Sequence, residues 1–189
     1  MKAAKYILTL MAAALCLNTS AQRIANYEKY GRMLNIGMGV GNYKYADHSM
    51  PVLHANYEID VVKYLTLAPF VTFYTHRSNL FWGNTFNTYK NYSYRETVIP
   101  FGLKGSVYYD KLVNAGIKWD FNISVSAGVF LRSILWDNNY YGDKTVLSPK
   151  NEGFFLDMHA GARYHFNRHL GMFLDFSTGV STFGLSVHL

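Results

Sequence analysis

The stretch Phe154-Phe-Leu-Asp-Met-His-Ala-Gly-Ala-Arg-Tyr-His-Phe166 decides how this chain folds. Phe154, Leu156, Met158, Ala160, Ala162, Tyr164 and Phe166 are apolar, and Phe155, Asp157, His159, Gly161, Arg163 and His165 alternate with them. A period of two places each set on its own face of an extended strand. Wound as a helix, the same residues would bring Asp157, Ala160, Gly161 and Tyr164 to one side, which is no apolar stripe.

The alternation recurs on both sides of this segment. Leu34 to Val40, Leu53 to Val61, Leu65 to Phe73, Ile99 to Val107, Phe121 to Leu131, Leu170 to Phe176 and Phe183 to Leu189 each carry apolar residues at every second position. Pro69 interrupts the third of these and predicts a bulge or irregular pairing there. Eight strands result. Their connections alternate in length. Short turns fall at Lys63-Tyr64 and Asn167-Arg168, with a moderate one over 110–118, and long polar stretches at Asn42 to Met50, Ser78 to Tyr92 and Ser133 to Glu152. The connection at Thr178 to Ser181 is short although it belongs to the long-loop end.

Composition decides which face of these strands meets lipid. The polar positions hold Gly, Ser and Asn with scattered charges, a poor water-facing surface but a good lining for a narrow interior. The apolar positions are nearly free of charge, as lipid requires. Backbone groups in hydrocarbon have no water to bond, so such a sheet must close on itself. The expected fold is therefore all-β, a closed eight-stranded antiparallel transmembrane up-and-down barrel spanning residues 22–189. Tyr43, Tyr45, Tyr74, Phe81, Trp82, Tyr92, Tyr94, Trp136, Tyr140, Tyr141 and Phe154 near the long loops, and Tyr64, Tyr108, Tyr109, Trp119, Tyr164 and Phe166 near the short turns, are expected to form two interfacial girdles.

The 189 residues are 50% hydrophobic, 17% aromatic and 16% charged, which excludes a disordered chain. Lys2 and Lys5 precede an apolar run from Tyr6 to Leu17, too short for a membrane-spanning helix, followed by Thr19-Ser20-Ala21. Residues 1–21 thus read as a secretory signal peptide cut before Gln22. The single cysteine, Cys16, lies within it and is preceded by Leu15 where a lipoprotein signal needs a small residue, so the mature chain has neither disulfides nor thiolate metal sites. Without Lys2 and Lys5 the eighteen basic residues fall to sixteen against twelve acidic ones, a formal +4 with no basic run. Nucleic acid is not an expected partner.

The Thr19-Ser20-Ala21-Gln22 processing site, the strand Val98-Ile99-Pro100-Phe101-Gly102-Leu103-Lys104-Gly105 and the ending Phe183-Gly184-Leu185-Ser186-Val187-His188-Leu189 resemble the small eight-stranded outer-membrane barrels of Gram-negative bacteria, of the OmpX and OmpA transmembrane-domain kind. The resemblance covers Arg32 to Leu189. It implies residence in the outer membrane, contact with its lipid and lipopolysaccharide, and delivery by the barrel-assembly machinery, which reads such an ending, although the final residue is Leu189 where Phe is common. It implies a structural or adhesion-like surface role exercised through the long loops, where recognition on a rigid scaffold normally resides. A narrow pore for ions or small solutes is the alternative.

Lumen-facing charges are the first candidate site: Glu58, Asp60, Glu96, Lys104, Arg132, Asp157, Arg163 and Asp175. In so narrow a barrel they are expected to pair with one another. A second candidate is His76-Arg77-Ser78-Asn79, which resembles the His-x-Ser-Asn element of the outer-membrane lipid A deacylases. That resemblance would make Ser78 the nucleophile, His76 its base and Glu96 the orienting acid, but strand parity turns His76 and Ser78 inward, away from a lipid substrate. The other histidines are scattered over different strands and turns, so neither a metal site nor a cofactor is expected.

Overall fold

A computed structural model describes residues 30, 32–41, 50–110, 112–114, 116, 118–136, 140, 142 and 152–189. The expected signal segment 1–21 lies outside the described residues, as do 42–49 and most of the stretch 137–151. Strands β1 (Met33–Gly41), β2 (Met50–Val62), β3 (Leu65–Asn84), β4 (Asn87–Tyr108), β5 (Trp119–Trp136), β6 (Glu152–His165), β7 (Leu170–Ser177) and β8 (Val180–His188) pair in chain order and close into a barrel. Every pairing is antiparallel, including the seam between β1 and β8. Phe154, Leu156 and Met158 are 60–67% exposed, whereas Phe155, Asp157 and Arg163 are at most 7% exposed. The apolar set of the deciding stretch therefore faces outward and the charged set inward, as a membrane-spanning barrel demands.

Glycine sets how closely the seam closes. Gly37 and Gly184 are directly opposite each other on β1 and β8, and a Cβ on Gly184 would lie 2.2 Å from the Ile36 carbonyl oxygen. A Cβ on Gly37 would meet the Phe183 carbonyl oxygen at 2.4 Å and the Phe173 ring at 2.8 Å. The space left by these glycines is filled by a ring from the neighbouring β7, which is how a narrow barrel takes bulky inward side chains. Gly184→Ala should lower stability by about 1–3 kcal/mol, because relief requires moving backbone rather than a flexible side chain. Urea unfolding in lipid vesicles measures it, and a wild-type midpoint would contradict the close approach.

Strand lengths depart from the sequence expectation in two places. The stretch Ser78 to Tyr92 is no loop. β3 and β4 continue as a hairpin through Ser78↔Tyr94, Leu80↔Tyr92 and Trp82↔Lys90 to a tight turn at Thr85-Phe86. β5 likewise continues to Trp136, opposite Tyr94, so Ser133 to Trp136 are strand residues too. Aromatic and β-branched residues such as Thr75, Phe81, Tyr92 and Tyr94 favour extension, while polar residues on both faces hide the alternation once the strands leave the bilayer. Pro69 keeps its register, but the ladder to β2 lapses at Ala68 and Pro69, as a missing N–H predicts.

The upper girdle also needs correction. Tyr74, Tyr92, Tyr94 and Tyr140 are buried, at 3–8% exposure, and face the interior. Trp82, Tyr92, Tyr94, Trp136 and Tyr140 pack together, with Trp136 stacked on Tyr140 at 4.2 Å, as a small aromatic core on the concave side of the projecting sheet. Tyr43, Tyr45 and Tyr141 lie outside the described residues. At the short-turn end an external aromatic belt does form, running Tyr109, Phe121, Trp119, Tyr164 and Phe166 in successive ring contacts. Tyr108 turns inward from it.

Candidate functional site

The interior is layered from the short-turn end upward. Tyr30, just ahead of β1, lies across the lower mouth: its ring stacks on Tyr108 at 4.2 Å and its hydroxyl donates to Asp110 at 3.0 Å. Its backbone N–H donates to Asp60, half-buried on β2, at 3.2 Å.

Above this cork, the Arg163 guanidinium of β6 pairs with Glu58 of β2 and lies 3.7 Å from Asp120. Glu58 also accepts from the Tyr108 hydroxyl at 2.5 Å, the Asn35 amide at 2.7 Å and Thr66 at 3.2 Å. Asp120 is shared with the His165 ring at 2.7 Å. A buried carboxylate held by one cation and three neutral donors is solvated by the protein in place of water.

The next layer joins Lys104 of β4 to Asp175 of β7 at 2.5 Å. His159 lies 3.1 Å from the same Asp175 oxygen and 2.8 Å from the Ser126 hydroxyl, while His54 contacts Thr72 at 2.8 Å and Asn56 at 3.0 Å. Asp157 lies 3.7 Å from the His159 ring and also holds a turn. It accepts from Ser177 at 2.7 Å, from the Thr178 hydroxyl and from the Gly179 N–H at 3.1 Å, so it holds the β7–β8 turn. This explains why that connection is short although it lies at the long-loop end.

Higher still, Val52, Phe70, Tyr74, Val98, Phe130, Phe155 and Val180 form an apolar plug. Arg132 and Glu96 make the uppermost ion pair at 2.6 Å. Two cavities of about 10 and 20 Å³ lie in the interior beside Asp175, each of a size for a single water.

The structure places His76 opposite Glu96 and Ser78 opposite Tyr94, with both side chains on the inward face of the hairpin. The Glu96 carboxylate is engaged by Arg132. Another trio has the connectivity of a catalytic triad: Ser126 Oγ to His159 Nε2 at 2.8 Å and His159 Nδ1 to Asp175 at 3.1 Å. Ser126 is 3% exposed beneath the apolar plug, and the adjoining cavity admits no acyl group, so the trio is part of the interior packing. Sequence reasoning missed His159, Ser126, Asp120, His165 and Tyr30 as members of the network. Their inward parity was the available signal, but their partners come from other strands. Among the described residues no group of three His, Cys, Asp or Glu side chains is arranged to hold a metal ion.

The charges divide sharply between inside and outside. Glu58, Glu96, Asp110, Asp120, Asp157 and Asp175 are all buried and Asp60 is half-buried, so no carboxylate among the described side chains is exposed. Arg32, Lys63, Arg77, Lys90, Arg95, Lys118 and Arg168 are exposed. The outer surface carries cations only, near both edges of its apolar band, among the described residues.

No family model matches the chain, and no curated protein matches it. Among solved structures it is similar to Ail, the attachment invasion locus protein of Yersinia pestis, in complex with the heparin analogue sucrose octasulfate. That match has a TM-score of 0.44 and 8% identity, over 82% of this chain and 94% of that one. A second structure of Ail matches with a TM-score of 0.33 and 8% identity, over 83% and 95% of the two chains. By strand number, closure, pairing order and the polarity of its two faces, the chain has the architecture of the small eight-stranded outer-membrane barrels.

Proposed function

We propose that the protein is an outer-membrane barrel, exported through a cleaved signal in residues 1–21 and inserted by the barrel-assembly machinery, that acts as a surface-interaction protein. The projecting sheet built from the upper parts of β3, β4 and β5 is its contact element. The observation that carries this reading is the length of the hairpin. β3 pairs with β2 only as far as Phe73, yet it runs on to Asn84. Among the described residues, Tyr74 to Asn84 are paired on the β4 side alone, and the other edge offers backbone donors and acceptors to an extended partner segment. A filled interior favours this role over passage of solutes, because the polar network and the apolar plug together occupy the lumen.

The test replaces residues 77–95 by Asn-Gly, joining His76 and Glu96 through a two-residue hairpin turn. Cells displaying the shortened protein are compared with cells displaying the full protein for attachment to epithelial monolayers and to immobilised matrix proteins. The shortened barrel should still show the mobility shift between unheated and boiled gel samples, and attachment should be lost. Unchanged attachment by the shortened form would overturn the proposal.

A further inference from the structure

The tip of the β3–β4 hairpin leaves apolar surface bare. Phe86 is 93% exposed at the turn, and Phe81 and Tyr89, in ring contact at 5.8 Å on the outward side just below it, are 65% and 63% exposed. Trp82 is half-buried on the concave side at the same level. Aromatic side chains thus surround the tip instead of gathering on one face. Local structure holds them there. The Asn84 side-chain oxygen accepts from the Phe86 N–H at 2.9 Å, an Asx turn that fixes Phe86 at the apex and satisfies its amide. The register slips between Trp82 and Asn84, and a Cβ on Gly83 would lie 2.6 Å from both the Cα and the ring of Tyr89, so glycine is what lets Tyr89 cross the strand.

Height separates this tip from the membrane that holds the barrel. Phe73 is the last outward apolar residue of β3 within the ring, and the strand runs on for eleven residues to Asn84. At ~3.3 Å per residue and a tilt of ~40° the tip lies ~28 Å above Phe73. A headgroup layer is only ~5–8 Å thick, so these rings are no part of the barrel's own interfacial belt. The hairpin is also basic: the chain has no acidic residue between Asp60 and Glu96, and Arg77, Lys90 and Arg95 project with the hairpin.

We infer that the tip docks on an opposing phospholipid bilayer with an anionic surface, Phe81, Phe86 and Tyr89 entering its headgroup region. Aromatic rings favour the boundary between water and lipid, and basic segments bind there more firmly when the lipid is anionic. Rings on all sides of a narrow tip suit a fluid layer that closes around it, whereas a protein interface gathers its aromatic anchors in one central patch. Entry stops at the interface, because hydrocarbon would strip water from the backbone edge of β3 that has no strand partner among the described residues. The inference rests on the surface-interaction reading above and names its partner, at the tip of the hairpin rather than along its edge.

The experiment holds the mature protein in neutral phosphatidylcholine nanodiscs and measures its binding to separate vesicles of phosphatidylcholine with phosphatidylserine, or of phosphatidylcholine alone. The mixed vesicles should bind more tightly, and added salt should weaken them. Brominated lipid placed only in the vesicles should quench the tryptophan fluorescence of a Phe86→Trp variant, which keeps the aromatic anchor and should bind as the wild type does. Phe81→Ser with Phe86→Ser should weaken vesicle binding by about tenfold or more, the worth of two partly buried phenyl rings. Leu112→Ser, exposed at the short-turn end, should change nothing. Equal vesicle binding by the wild type and the double serine variant, or no quenching of Phe86→Trp, would overturn the inference. So would attachment to cells that is abolished by trypsin treatment of the monolayer while vesicles go unbound, which gives the tip to a protein partner. The two readings fail separately. Attachment that needs residues 77–95 but not Phe81 and Phe86 sinks only the bilayer contact, whereas attachment that survives loss of residues 77–95 sinks the reading beneath it as well.

Discussion

Arg163→Ala should remove about 3–5 kcal/mol of folding free energy, the largest effect expected of any single substitution in the barrel, because it strips a buried ion pair of one partner. Arg163 is 3% exposed, pairs with Glu58, lies 3.7 Å from Asp120 and rests over the Tyr108 ring at 5.7 Å. Without it, Glu58 and Asp120 lose their shared guanidinium, and the His165 ring beside Asp120 is the cation source left to them. Hydrogen bonds from Tyr108, Asn35 and Thr66 orient Glu58 but carry no compensating charge. Urea unfolding in lipid vesicles, followed through Trp82, Trp119 and Trp136, reads the change. Arg163→Met combined with Glu58→Gln should recover part of the loss, since charge and countercharge then leave together. A single variant within about 1 kcal/mol of wild type would mean that Arg163 is not the keystone of this layer.

Val125→Arg should cost about 2–4 kcal/mol for an unrelated reason. Val125 is in the middle of the outward row of β5, between Ile123 and Ala127, and the charge it would carry has no route to water across the apolar band. Val107→Arg, outward at the short-turn end of β4, should cost at most about 1 kcal/mol, because an arginine there reaches the interface. The depth dependence is the diagnostic part. A protein whose outward face met water would tolerate both substitutions alike, and equal unfolding midpoints for the two variants would remove the membrane from the account.

The seven segments that cross the bilayer with one lipid-facing side were legible residue by residue, and so was the eighth with its interrupting Pro69. Lipid on one side and a polar interior on the other impose the alternation that Phe154 to Phe166 displays most cleanly. Above the bilayer that contrast ends. Arg77 and Asn79 point outward and His76 and Ser78 inward, polar on both faces, so the hairpin reads as a loop although its two strands are paired with each other. Inward charge was legible from parity, but choice of partner was not. Glu58 meets Arg163 and Lys104 meets Asp175 across the lumen, and those matches depend on the stagger of all eight strands around the closed ring. Asp157 shows the same limit from another side: its parity places it beside His159 in the ion network, but its hydrogen bonds go to a turn twenty residues further along the chain.

The seam between β1 and β8 gives the ring a further property. The Leu189 N–H donates to the Arg32 carbonyl at 2.8 Å, so the first and last strands meet end to end at the short-turn side. Every other pairing joins neighbours in the chain and is as local as a hairpin. The β1–β8 contact is therefore the one step whose loop-closure entropy grows with the length of the whole barrel. Once it forms, the order of the strands is cyclic, and the place where the polypeptide is cut becomes a property of synthesis rather than of the finished ring.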